Sequence, residues 1–316
     1  GAYLPGGDLL FSSTRCVQSV DCFFTEGSNL YTCDRDGRFW RRVGFDQVHT
    51  NYPTVTEDGR VLYTRWEYND RGQIFTQALF QMNPDGTAQS EYYGNNSFFP
   101  TAILHARQIP GTPKAVAIAA GHHTRQTGKL IVLDPARGRQ ENQGAQLIAP
   151  VRTTPAVTVN AYGQEGELWQ YPYPLGETEF LVGYSPWGWG REPLLFGIYF
   201  TMLDGRRELL VHDPLVSCSQ PVPLRRPAPH VRPKTTDYSR QTGTFYVQDV
   251  YAGPGLTGLP RGTAKKLRVI GLDFRATVIG GNHNRGEAGE AFVATPVAVA
   301  QGSWEAKTVL GETPIG

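Results

Sequence analysis

The feature that most limits what this chain can fold into is a unit that recurs along it. "LPGGDLLFSSTR" is followed, after an insert, by "SNLYTCDRDGRFWRRVGF", and "VTEDGRVLYTRWEY" by "ALFQMNPDGTAQSEYYG". "GTPKAVAIAAGHH" then leads to "GKLIVLDPARGRQENQGAQLI", and "GETEFLVGYSP" to "FGIYFTMLDGRRELLVHDP". A looser fifth unit pairs "TGTFYVQDVYAG" with "AKKLRVIGLDFRAT". In each, a turn rich in Gly, Pro or Asp enters an apolar strand, a variable excursion follows, and a second strand runs through a tight turn into a third. The tight turns are Asp36-Gly37, Asp85-Gly86, Asp134-Pro135 and Asp204-Gly205. Asp-Gly between alternating apolar stretches favours positive backbone φ, which a two-residue hairpin requires.

Recurrence at roughly 40 to 70 residues implies one small antiparallel sheet per unit, and such sheets stacked around an axis make a β-propeller. A sheet of that size cannot bury both faces alone, so neighbouring blades must supply the missing contacts. The expected fold is all-β, a propeller of six or seven four-stranded blades; about five units are visible, so the remaining strands belong either to missing sequence or to blades not recognisable in this one. Residues 1–217 carry blades. Residues 218–238, "CSQPVPLRRPAPHVRPKTTDY", cannot be central strand because proline removes ladder donors, and they read as an extended connection. Residues 239–316 read as further propeller strands leading toward a C-terminal domain outside the sequence.

Composition agrees. Gly (36) and Pro (23) are plentiful among 316 residues, as many short strands and turns require. Thirty Lys plus Arg oppose 29 Asp plus Glu, a net charge of +1, so no global field favours nucleic acid. No apolar run is long enough for a transmembrane segment. The chain has no initiator Met or charged-then-apolar leader, and it stops at "GETPIG" in strand-like text, which reads as a mature or excised piece of something longer.

Cys16, Cys22, Cys33 and Cys218 leave several readings open. A Cys16–Cys22 bridge would close a small loop and fit an oxidising compartment; free, half-buried thiols are the alternative. A zinc site from Cys16, Cys22 and Cys33 is a third reading, weakened by the absence of C-x2-C spacing. Pairing of Cys33 with Cys218 is undecided.

"PGGDLLFSS" with "NLYTCDRDG" resembles the TolB-like propeller repeat of secreted bacterial proteins. "DGRVLYTRWEYNDR", "LFQMNPDGT", "YYGNNSFFPT", "ARQIPGTPKAV", "GHHTRQTGKLIVLDP", "YPYPLGETEFLV" and "LPRGTAKKLRVI" resemble, in matching order, the hydrazine synthase alpha-subunit-related proteins. That resemblance implies an exported protein, periplasmic or extracellular, with a propeller that often continues into a c-type cytochrome segment. The implied partner is a c-type cytochrome domain or subunit, with a homo-oligomer as a further option. No C-x-x-C-H occurs here, so haem c is expected only in a neighbouring domain or subunit and none covalently bound in this chain. Hydrazine synthesis itself is not implied.

In a propeller the innermost strand of each blade runs along the axis, and residues past its end collect at one mouth. Taking the strand that opens each unit as innermost brings together Arg15 and Cys16; Arg65, Trp66 and Glu67; His122 and His123; Ser185, Trp187 and Trp189; and Gln248, Asp249 and Tyr251. Arg15, Arg65, Glu67, His122, His123, Trp187 and Asp249 are the ligand-binding candidates. Cys16, His122 and His123 are candidates for a divalent metal. Structural readings stand beside these: His122 bonded to a neighbouring backbone, Arg65 and Glu67 as an ion pair, the indoles as packing. Three functions fit: a propeller scaffolding a site in a cytochrome-associated oxidoreductase, a non-catalytic protein- or glycan-binding module, and a metal-dependent hydrolase or lyase using the histidine pair with Glu67.

Overall fold

The computed structural model describes residues 1–19, 26–46, 48–67, 76–122, 124–149, 165–188, 193–224, 239, 241, 247, 249–252, 256, 258–273 and 306–315. Strands dominate them, and they fall into four successive antiparallel meanders. The first is β1 (Ala2–Tyr3), β2 (Leu9–Ser19), β3 (Glu26–Cys33) and β4 (Arg41–Arg42). The second is β5 (His49–Val55), β6 (Val61–Trp66), β7 (Gln77–Met82) and β8 (Ser90–Tyr93). The third is β9 (Ala102–Gln108), β10 (Ala115–Ala120), β11 (Lys129–Leu133) and β12 (Ala145–Ala149). The fourth is β13 (Leu168–Pro174), β14 (Glu179–Ser185), β15 (Gly197–Met202) and β16 (Arg207–Val211). A hairpin of β17 (Lys266–Asp273) and β18 (Ala306–Pro314) follows. One parallel rung, Gln77 to Ala102, fuses the second and third meanders into an eight-stranded sheet. The architecture is a β-propeller.

The turns show why Asp-Gly recurs. Gly37 N–H donates to Asp34 O at 3.0 Å and Asp34 N–H to Arg38 O at 2.9 Å. The same pair of bonds closes the turns at Asn83–Thr87 and Met202–Arg206. Gly37, Gly86 and Gly205 take φ of 76°, 89° and 86°. These loops are one residue longer than the two-residue hairpin expected from the sequence, each a type I turn closed by a left-handed glycine. Asp-Pro at the third site starts a short 3-10 turn, Pro135–Arg137, capped by the Asp134 carboxylate.

Blades pack face to face, and the apolar clusters lie between them. Leu10 and Leu30 of the first blade meet Val61, Tyr63, Ala78 and Phe80 of the second. Leu62 and Leu79 of the second meet Ile103, Ala115, Ala117, Ala119 and Ile131 of the third. Val116, Ile118, Leu130 and Val132 face the fourth blade, against Trp169, Phe180, Val182 and Tyr184. β10 therefore alternates small alanines toward one neighbour with larger residues toward the other. Both faces are buried, so it reads as a continuous apolar run. Burying a side chain such as Ile118 contributes about 1.5–3 kcal/mol.

One sequence expectation is corrected here. The strands that open each repeat in the sequence are β2, β6, β10 and β14, each the second strand of its meander. The first strands, β1, β5, β9 and β13, are the ones that adjoin one another from blade to blade. They escaped notice because "AY", "HTNYPTV" and "LWQYPYP" lack a clean apolar alternation. Much of the fifth unit, and residues 225–238 of the Pro-rich connection, lie outside the described residues.

Candidate functional site

The site is built from an irregularity shared by three first strands. Between β5 and β6 the register jumps from Asn51–Thr64 to Thr54–Leu62, so Tyr52 and Pro53 oppose one residue. Between β9 and β10 it jumps from Leu104–Ile118 to Arg107–Val116, leaving His105 and Ala106 against Ala117. Between β13 and β14 it jumps from Gln170–Gly183 to Tyr173–Leu181, leaving Tyr171 and Pro172 against Val182. In every case the first residue of the bulge is left-handed: Tyr52 at φ 55°, His105 at 55° and Tyr171 at 46°. A left-handed residue with a side chain costs roughly 1–2 kcal/mol, and this chain accepts that three times at matching positions.

The three displaced rings converge. His105 stacks on Tyr171 with centroids 3.7 Å apart and planes at 25°, and Tyr52 meets His105 edge-on at 4.4 Å. Tyr52 and Tyr171 lie 6.5 Å apart. Tyr171 N–H donates to His105 Nδ1 at 3.4 Å, which places the neutral ring's proton on Nε2. His105 is 4% exposed, and its Nε2 has no partner among the described residues. Burial, and then the charge of Arg107, push its pKa down to about 3, so the ring is neutral at physiological pH. Burial also raises the Tyr52 phenol, with Tyr171 adding to the shift, so the Tyr52 hydroxyl stays a protonated donor and acceptor.

Around this cluster lies a cavity of about 510 Å³. Tyr52, His105 and Tyr171 line it, with Arg107, Phe11, Ser12, Asn51, Thr54, Gln126 and Gln220 among the others. No Asp or Glu is among the described residues of its wall. Side-chain bonds hold the blades at the rim: Ser12 Oγ donates to Thr50 O at 2.8 Å, and Thr54 Oγ1 to Ala106 O at 2.8 Å. The described side chains offer neutral donors, aromatic faces and one guanidinium.

Of the residues expected from the sequence, Arg15, Arg65, Glu67, His122 and Trp187 lie on or just past second strands and not on the three bulged first strands. Arg15, Arg65, Glu67, His122, Trp187 and Asp249 do not line this cavity. Arg65 forms an ion pair with Asp46, Nε to Oδ1 at 2.9 Å, and also pairs with Glu67. Burial outweighs the pull of Arg65 and raises Asp46 to about 6. Trp66 contacts His122 at 5.8 Å on one side and His49 at 5.8 Å on the other. His122 itself is buried. Arg15 is exposed, its guanidinium 4.0 Å over Trp40. Trp187 is exposed, and Asp249 pairs with Arg261 at 2.8 Å. Cys16, Cys33 and Cys218 carry free thiols, and Cys16 Sγ lies 3.3 Å from Gly27 O. Cys22, His123, Trp189 and Gln248 lie outside the described residues. Among the described residues no group of three or more His, Cys, Asp or Glu is placed to hold a metal ion. No described helix is long and apolar enough to cross a membrane.

Sequence reasoning missed Tyr52, His105, Arg107 and Tyr171. A signal was present: Tyr-Pro occurs in "HTNYPT" and again in "LWQYPY", each time just upstream of an apolar strand.

No family model and no curated protein matches this chain. Solved structures do. Hydrazine synthase of Kuenenia stuttgartiensis superposes with a TM-score of 0.51 at 18% identity, over 66% of this chain and 28% of that one. TolB from Acinetobacter baumannii gives 0.43 at 13% identity, over 69% of this chain and 44% of its own. An alpha-L-arabinanase of Penicillium chrysogenum, complexed with arabinobiose, gives 0.34 at 14% identity, over 69% and 67%. The chain thus spans less than half of the first two proteins, and the likeness to hydrazine synthase is one of fold.

Proposed function

We propose that this chain is a ligand-binding propeller that holds a small molecule where Tyr52, His105 and Tyr171 meet, within a larger exported redox protein. One observation carries the binding role. Three strands from three blades abandon a regular ladder at matching positions, and the displaced residues surround a single cavity. Backbone strain of this kind persists where surrounding structure over-determines it, and it concentrates at ligand sites. A concave pocket with aromatic walls and a few converging polar groups is the usual form of a small-molecule site.

Placement within a redox protein draws on different support, the fold likeness to part of hydrazine synthase together with the motif resemblance. On that reading the chain positions a ligand while a c-type cytochrome domain or subunit supplies electron transfer. The two parts are tested separately. Ligand-observed NMR with a library of small neutral and charged fragments should give hits that compete with one another and are lost in Tyr171→Ala. Hits indifferent to that substitution would remove the axial pocket as their site. A visible spectrum of the full-length protein should show a Soret band; its absence would remove the cytochrome and leave the binding role standing.

A non-catalytic assembly role has its own support. β16 is exposed along its length, and Leu209, Leu210, Val211, Leu215 and Val216 are all about half exposed or more. Contiguous apolar surface of this kind marks contact sites. Light scattering that reports a monomer, and no change in mass with added full-length protein, would count against it.

A further inference from the structure

We propose that the axial pocket selects a small monocarboxylate, seated on the guanidinium of Arg107. This rests on the reading that the pocket binds a small molecule and goes further by naming the ligand's class.

Arg107 comes two residues after the bulge residue of β9 and lines the cavity. Its guanidinium makes no hydrogen bond or ion pair to any described residue; the ring of Tyr173 lies 4.9 Å away, and the charge is felt at His105. Elsewhere arginines in comparable surroundings are paired: Arg65 with Asp46 and Glu67, Arg207 with Glu167. A half-buried guanidinium is favoured by an anion beside it, and burial lowers the pKa of Arg107. The cavity wall offers no carboxylate to meet it among the described residues.

A second unmet donor lies two residues upstream on the same strand. His105 accepts from Tyr171 N–H at Nδ1, so its Nε2–H is the donor that lacks an acceptor. Arg107 therefore calls for acceptor atoms and for negative charge, whereas the Nε2–H of His105, closed off from solvent, adds no donor to the cavity surface. A carboxylate supplies both: two oxygens for the planar guanidinium fork and a single charge. Among the described side chains of the wall Arg107 is the one cation, which suits a single negative charge better than a phosphate dianion. The rings of Tyr52, Tyr171 and Phe11 suit an apolar or flat body behind the carboxylate.

Titration calorimetry on the intact protein with benzoate, benzamide and inorganic phosphate tests this. Benzoate and benzamide share a shape and differ in charge. Benzoate should bind about tenfold or more tightly than benzamide, Arg107→Gln should erase that preference, and Arg107→Lys should keep part of it. Thermal melts of both variants check folding; should they fail to fold, the benzoate-benzamide comparison on the unmodified protein still decides. Benzamide binding as tightly as benzoate, or phosphate binding better, overturns the carboxylate assignment and leaves the pocket a ligand site. Failure of all three probes while neutral fragments still bind in the pocket overturns it equally. Failure of all three with no fragment bound there overturns both readings.

Discussion

β9 and β10 are neighbours in one sheet and differ in almost every respect. All six side chains of β10 are 0% exposed, and its ladder to β11 runs unbroken from Ala115 to Ala119. β9 carries a bulge, a left-handed histidine and a half-buried arginine without a counter-ion among the described residues. The same pairing of a regular second strand with an interrupted first strand occurs in the second and fourth blades. The contrast separates two jobs. Second strands supply interblade apolar contact, which is where stability lies, whereas first strands give up ladder regularity to aim particular groups at the axis.

The contrast can be attacked at several points. Ile118→Ala, in the face that β10 presents to the fourth blade, should lower unfolding free energy by about 3 kcal/mol in a denaturant titration. A loss below about 1 kcal/mol would mean that β10 is not a principal source of stability. His105 should reveal itself through pH. The folded ring stays neutral down to about pH 3, whereas an ordinary histidine takes up a proton near 6.5. Below 6.5 the unfolded state therefore binds more protons, and stability falls as pH falls toward 3. The unmodified protein should lose about 2 kcal/mol more than His105→Gln between pH 7 and pH 5. Parallel curves for the two proteins would show that His105 is not held neutral.

A smaller effect concerns the backbone. At φ 55°, His105→Val should be less stable than His105→Gly by about 1.5 kcal/mol, since a β-branched residue tolerates that conformation worst. Equal stability would remove the strain from the comparison. Least of all, Leu210→Ala on exposed β16 should move stability by no more than about 0.5 kcal/mol. A loss matching that of Ile118→Ala would show β16 to be covered in solution.

The division also governs what could be read in the sequence. Second strands were legible because apolar runs such as "AVAIAA" follow turn residues, and the Asp-Gly sites were legible because only glycine takes their φ without cost. First strands hid because a bulge breaks the period of two. In β9, Ala102 and Leu104 face the fourth blade, whereas Ile103 and Ala106, three residues apart, face the second. No alternation survives such a step. With the first strands unseen, second strands took their place in the reading, and the candidate site fell on residues such as Arg65, which turns out to be tied to Asp46 and Glu67. The repeat showed that residues would converge at an axis; which residues did so depended on a dihedral angle that no periodicity encodes.

The bulges carry one more consequence. A residue parked outside the ladder can be exchanged without re-pairing its neighbours, so positions 52, 105 and 171 are three addresses at which a lineage could rewrite what the cavity recognises while inheriting the blades unchanged. The left-handed backbone limits that vocabulary chiefly to unbranched side chains, so recognition can drift only along a narrow alphabet.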